Sequence, residues 1–195
     1  MARPAVFLDR DGTMIREVGY LRSPVQLRLL PRAASAIKRL NDAGFAVIVT
    51  TNQSGIARGI LTEADLALTN EALQRRLARR GARVDAFHFC PHHPEVGPPK
   101  YRRRCRCRKP SPGMLLRAAR ELDLDLSRSF AVGDSARDLL AGRNAGARAI
   151  LVRTGYGRRT EVEYAEELPA DHVADDLAAA VEWVLAQPRR KPSRR

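Results

Sequence analysis

Asp9 and Asp11, separated by Arg10 and followed by Gly12-Thr13, close the apolar run Ala5-Val6-Phe7-Leu8. Two carboxylates at i and i+2 of an extended strand point the same way, because side-chain direction there repeats every two residues. The glycine lets the backbone turn sharply, so both acids are delivered to the carboxyl edge of a sheet. That geometry suits a nucleophile, a proton donor and a shared hard cation within a few ångströms of one another. An ordinary Asp-Gly surface turn after a strand would read the same way, so the rest of the chain has to decide.

Three more polar clusters follow apolar runs. After residues 45–50 (FAVIVT) come Thr51-Asn52-Gln53-Ser54-Gly55. Their hydroxyls, amides and backbone N–H groups could cradle phosphate oxygens, or equally cap a turn. A long excursion after residues 84–90 reaches Arg108-Lys109-Pro110, just ahead of a helical segment, where a lysine could hold an anion. After residues 129–133 come Asp134 and, one helical turn on, Asp138. Asp134 could coordinate a cation directly while Asp138 orients its surroundings; the plainer alternative is an N-cap beside an unrelated surface acid.

All three cysteines fall in one region with a histidine: Cys90-Pro91-His92, then Cys105-Arg106-Cys107. An odd cysteine count without a secretory pattern argues against a disulfide framework. Cys90, His92, Cys105 and Cys107 supply the four ligands of a structural Zn²⁺, with His93 as the alternative histidine. The loop at 90–107 has little apolar matter of its own, so metal ligation would have to fix it, and would thereby aim Arg108 and Lys109.

The elements that must position these groups alternate along the chain. Strands are expected at 6–9, 45–50, 84–90, 129–133 and 149–152, apolar on both faces, as in a parallel sheet covered by helices. Helical stripes are Ala33, Ile37, Leu40, Ala43; then Leu66, Leu73, Leu77 behind a Thr62 cap; then Met114, Leu115, Ala118, Leu122. Leu139, Leu140 and Ala145 belong to a short helix ended by Gly146, and a last helix spans about 175–186. The fold class is α/β, a doubly wound parallel sheet, with binding expected at the carboxyl ends of the strands.

Bulk properties bound the rest. The chain of 195 residues is 44% hydrophobic and 29% charged, as expected of one globular domain over 1–187. No apolar run approaches the ~20 residues of a membrane span, so a cytoplasmic protein without membrane contact is expected. The net charge of +13 is local: residues 100–109 carry seven positive charges and the 188–195 tail five, leaving +1 elsewhere. The tail reads as basic and disordered. Tyr101 is the lone aromatic in the basic loop, which weighs against the remote alternative of a nucleic-acid-binding module.

Taken in order, these parts resemble the haloacid dehalogenase superfamily of phosphotransferases across residues 4 to 155. The resemblance implies a Rossmann-like fold, Asp9 as nucleophile, Asp11 as general acid/base, and Thr51 and Lys109 as ligands of the transferring phosphoryl group. It also implies Mg²⁺ held by Asp9, Asp11 and Asp134, with Asp138 behind them. The zinc loop and the absence of a large cap domain narrow the resemblance to the heptose-bisphosphate and histidinol-phosphate phosphatases. The stretches Phe7 to Thr13, Val49 to Gly59, Cys90 to Pro94 and Cys105 to Pro110 look like the heptose branch, as do Gly19-Tyr20 with Glu17 two residues earlier. Histidinol-phosphate relatives usually carry an aspartate where Ser54 stands. Several heptose relatives have a lysine where this chain has Ser135. The expected substrate is a small sugar bisphosphate, D-glycero-D-manno-heptose 1,7-bisphosphate, losing its 7-phosphate in a monomeric enzyme. Glu17, Gly19, Tyr20, Asn52, Gln53, Ser54, Arg108 and Ser135 would surround the sugar, with Arg108 a second cation for the remote phosphate. Histidinol phosphate, or another small phosphomonoester, is the alternative substrate.

Overall fold

The computed structural model describes residues 2–188. The basic tail expected at 188–195 lies, from residue 189 onward, outside the described residues. Six parallel strands form one sheet: β1 (Ala5–Leu8), β2 (Ala46–Asn52), β3 (Ala86–Cys90), β4 (Phe130–Gly133), β5 (Arg148–Val152) and β6 (His172–Ala174), in the order β3-β2-β1-β4-β5-β6. The crossover helices are α1 (Ala33–Asp42), α2 (Glu63–Ala78), α3 (Gly113–Glu121), α4 (Ala136–Ala145) and α5 (Gly157–Tyr164), with α6 (Leu177–Ala186) closing the domain.

The two-residue period of β1 divides the core. Val6 and Leu8 join Ile37 and Leu40 of α1, Leu73 and Leu77 of α2, and Val181 and Val184 of α6 on one face. Ala5 and Phe7 join Met114, Leu115 and Ala118 of α3 and Ala141 and Ala145 of α4 on the other. Both faces of the strand are dry, which is why its sequence is apolar without alternation. Leu8 pairs with Val49 of β2 and Val132 of β4, so β1 and β4 end beside Asp9 while β2 runs on to Asn52. The strand order reverses direction at this point, where open α/β sheets place their ligands.

The expected strands and five of the helices are present with boundaries shifted by a few residues. Two elements are additions. α5 reads Gly-Arg-Arg-Thr-Glu-Val-Glu-Tyr and buries only Gly157 and Thr160, so it offers no apolar stripe. β6 is three residues long, too short to display a period. Leu140 of the expected short helix is exposed, while Leu139 and Ala141 take the buried face of α4.

Candidate active site

Asp9 follows the last residue of β1 and is buried; its backbone N–H donates to Val132 O at 2.9 Å. Lys109 is 3% exposed, and its ammonium meets three oxygens: Asp9 Oδ1 at 2.7 Å, the Thr50 carbonyl at 2.7 Å and Asp138 Oδ1 at 2.5 Å. Each of its three protons thus has an acceptor. Asn52 fixes the lysine from behind, its Nδ2 donating to Lys109 O and its Oδ1 accepting from Lys109 N–H, both at 3.1 Å. The other Asp138 oxygen accepts from the Ser135 hydroxyl at 2.5 Å and the Ser135 N–H at 3.1 Å. Asp138 therefore braces the lysine and the start of α4. The hydroxyl proton of Ser135, expected to face the sugar, is committed to it.

Carboxylate oxygens of Asp9, Asp134 and Asp138 lie within 4.8 Å of one another. Three acids against one ammonium leave an excess of buried negative charge. Burial first, then Asp138 and Asp11, push the Asp9 carboxyl up to about 7 against the pull of Lys109. Burial first, then Asp9 and Asp138, push Asp134 up to about 8. Burial opposes the charge on Lys109, but Asp138 and Asp9 outweigh it and raise its proton affinity. Hard oxygen donors under this strain fit a small divalent cation such as Mg²⁺, bound by Asp9 and Asp134. Two glycines make the room: a Cβ at Gly12 or at Gly155 would stand 2.0 Å from Asp134 Oδ2. Tyr156 N–H donates to that same oxygen at 2.9 Å.

The Asp11 side chain lies outside the cluster of Asp9, Asp134 and Asp138. The reason is Arg10, whose Nε donates to Asp11 Oδ2 at 3.0 Å, while Gln53 Nε2 donates to the same oxygen at 3.0 Å. Gln53 also donates to Thr51 Oγ1 at 2.9 Å, so the β2 turn orders both the hydroxyl and the second acid. Sequence reasoning missed Arg10. Its position between two acids was visible, but nothing in one sequence marked it as buried rather than as a solvent-facing spacer.

A cleft of about 330 Å³ opens over these groups. Its lining gathers Glu17, Gly19, Tyr20, Asn52, Gln53, Ser54, Arg108 and Ser135 as expected, together with Arg137 and Tyr156, which were not. Glu17 accepts the Gly19 N–H at 2.5 Å, and burial raises its carboxyl above the ordinary range. Tyr20 packs on Ile56, Leu61 and Leu66 and lies against Gly55, where a Cβ would come within 2.7 Å of its ring. A larger cavity, about 580 Å³, lies at the amino ends of the strands near Phe45, Phe130 and Arg148, remote from the acids.

Below the cleft, Cys90 Sγ, Cys105 Sγ and Cys107 Sγ are 3.2 to 3.5 Å apart, and His92 Nδ1 is 3.6 Å from Cys90 and 3.3 Å from Cys107. These sulfurs are too far apart to be bonded, since a disulfide needs about 2.05 Å. Four-coordinate Zn²⁺ would set sulfurs about 3.8 Å apart, so the donor set and its shape fit that ion after a slight expansion. His93 points elsewhere: its Nε2 meets Arg58 at 3.0 Å, and its Nδ1 accepts the N–H groups of Glu95 and Val96. Arg108 donates to the His92 carbonyl at 3.2 Å, linking the thiol cluster to the cleft.

Comparisons with known proteins agree with this picture. A family model described as "HAD-hyrolase-like" matches residues 106–180. The D-glycero-D-manno-heptose-1,7-bisphosphate 7-phosphatase of Thermosynechococcus vestitus is 48% identical over 189 residues, covering 94% of this chain and 96% of its own. The D-glycero-beta-D-manno-heptose-1,7-bisphosphate 7-phosphatase of Escherichia coli is 41% identical over 174 residues, covering 88% and 91%. Among solved structures, the D,D-heptose 1.7-bisphosphate phosphatase of B. bronchiseptica, complexed with magnesium and phosphate, matches with a TM-score of 0.84 at 42% identity, covering 93% of this chain and 98% of that one.

Proposed function

Since the chain belongs to the haloacid dehalogenase-like phosphatases, in the family of the heptose-1,7-bisphosphate 7-phosphatases, we propose that it removes the 7-phosphate of D-glycero-D-manno-heptose 1,7-bisphosphate through an aspartyl-phosphate. The observation that carries this reading is the meeting of Asp9, Lys109 and Asp134 at the tips of β1, β2 and β4. Asp9 attacks phosphorus in line, and the P–O bond to the sugar breaks. Asp11 gives its proton to the departing oxygen, then takes one from the water that opens the phosphoenzyme. Lys109 and the Thr51 hydroxyl hold the phosphoryl oxygens, while Arg108 holds the remote phosphate. Bound Mg²⁺ offsets the repulsion between a dianionic ester and the acids and favours charge developing on the phosphoryl oxygens. Cys90, His92, Cys105 and Cys107 would hold a structural Zn²⁺, which would fix the segment leading to Arg108 and Lys109.

Phosphate release with Mg²⁺ is expected to be faster on the heptose bisphosphate than on histidinol phosphate, as kcat/KM. The reverse preference would reject the substrate. Acid quench under turnover should leave phosphate on Asp9, and Asp9→Asn should lower kcat by roughly 10³ or more while the fold is kept. Finding no phosphate on Asp9 would reject the mechanism.

A further inference from the structure

Asp11 stands outside the acid cluster, and three residues decide where it points. Its Oδ2 accepts from Arg10 Nε and Gln53 Nε2, both at 3.0 Å, with Arg10 Nη2 lying 2.9 Å away as an ion-pair contact. Its Oδ1 receives only the longer bond from Arg10 Nη2 at 3.2 Å. Arg10 itself is 1% exposed, and its remaining nitrogen, Nη1, donates to Asn70 Oδ1 of α2 at 3.0 Å. We propose that Arg10 and Asn70 are positioning residues that aim Asp11 Oδ1 at the leaving-group oxygen. The inference rests on the phosphatase reading of this cleft and adds to it a chain of contacts from α2 to the proton donor.

A guanidinium is flat, and its fork fixes the plane of any carboxylate it grips. The fork is fixed in turn by Asn70, because a buried Nη1–H without an acceptor would be left unsatisfied. Asn70 sits between Leu66 and Leu73, two buried anchors of α2, so the helix supplies a rigid base. With two hydrogen bonds on Oδ2 and a single longer one on Oδ1, Oδ1 is the less engaged oxygen and the one assigned to the leaving group. As the P–O bond breaks, the electron pair leaves with the sugar oxygen, which takes the proton from Oδ1. When water attacks the phosphoenzyme, its proton returns to Oδ1, and the bonding pair returns to the Asp9 carboxylate.

A residue that aims a proton donor matters only when the leaving group needs a proton. A sugar alkoxide needs one, whereas p-nitrophenolate departs without it. The test measures kcat/KM, which reports steps through loss of the alcohol, on the heptose bisphosphate and on p-nitrophenyl phosphate. Asn70→Ala is expected to lose about tenfold or more on the sugar and less than about threefold on the aryl ester. Asn70→Asp, which keeps an acceptor for Nη1, is expected to recover most of that loss. Should Asn70→Ala fail to fold, Asn70→Ser removes the same contact and is read in the same way. Equal losses on both esters, no loss on either, or no recovery in Asn70→Asp would overturn the proposal. If the wild type ignored the heptose bisphosphate, the substrate reading alone would fail, and any alkyl phosphate it does hydrolyse would serve in the comparison.

Discussion

Burial pushes the carboxyl of Asp9 up to about 7, near half-titration at neutral pH, and that of Asp134 up to about 8, mostly protonated there, against an ordinary value of 3.8. The sign of the consequence is fixed by linkage. Between pH 4 and these raised values, the cation-free folded chain holds protons that the unfolded chain has released. Stability should therefore fall as pH rises through that window, by up to about 1.4 kcal/mol per pH unit for each group. Mg²⁺ held by the deprotonated pair would reverse the fall. In Mg²⁺-free buffer Tm is expected to drop from pH 5 to pH 8, and adding Mg²⁺ at pH 6.5 should release roughly one to two protons per site. A flat Tm profile, or metal binding without proton release, would contradict the burial of these acids. Gly155 tests the same site sterically. Its φ is +56°, and an added Cβ would meet Asp134 Oδ2. Gly155→Ala should thus weaken apparent Mg²⁺ affinity by about tenfold or more, read by Mg²⁺ titration of turnover.

At the scale of elements, the strands that carry chemistry were the most legible. β1, β2 and β4 are short runs of buried apolar residues, and each ends in polar groups that a buried strand could not tolerate earlier. Asp9, Thr51 and Asp134 could therefore be placed at one edge before any coordinates. α5 and β6 escaped because amphipathic periodicity was the signal used, and neither has one. The contacts of Arg10 escaped for another reason: they join residues 60 apart in sequence, and pairing at that separation leaves no local pattern. The Lys109 and Asp138 pair escaped likewise. The thiol cluster was legible because all three cysteines fall in one region with His92, and we expect its task to be holding a segment poor in core residues. Cys107→Ser is expected to lose one zinc per chain and to lower both Tm and kcat, since Arg108 and Lys109 follow directly. Full zinc content in that variant, measured by atomic absorption, would mean the ligand set is wrong.

For the whole molecule, the charge balance looks different once Lys109 is seen to be buried. Of the seven positive charges in residues 100–109, that one faces three acceptors inside the site and adds nothing to the surface field. Among the described residues no helix is long and apolar enough to cross a membrane. We expect removal of residues 189–195 to cut retention on a polyanionic resin while leaving kcat/KM on the sugar phosphate within about twofold. A larger loss of turnover would give the tail a role at the cleft.

Lys109 also offers a clock for opening of the site. The oxygens it touches come from the residue after β1, from β2 and from α4, so its amine can meet an acylating reagent only when those segments part. The side chains of Lys38 and Lys100, 48% and 75% accessible, would be modified at once and serve as internal standards. The lag before Lys109 is tagged, followed by peptide mass, would then time how often this corner of the enzyme breathes.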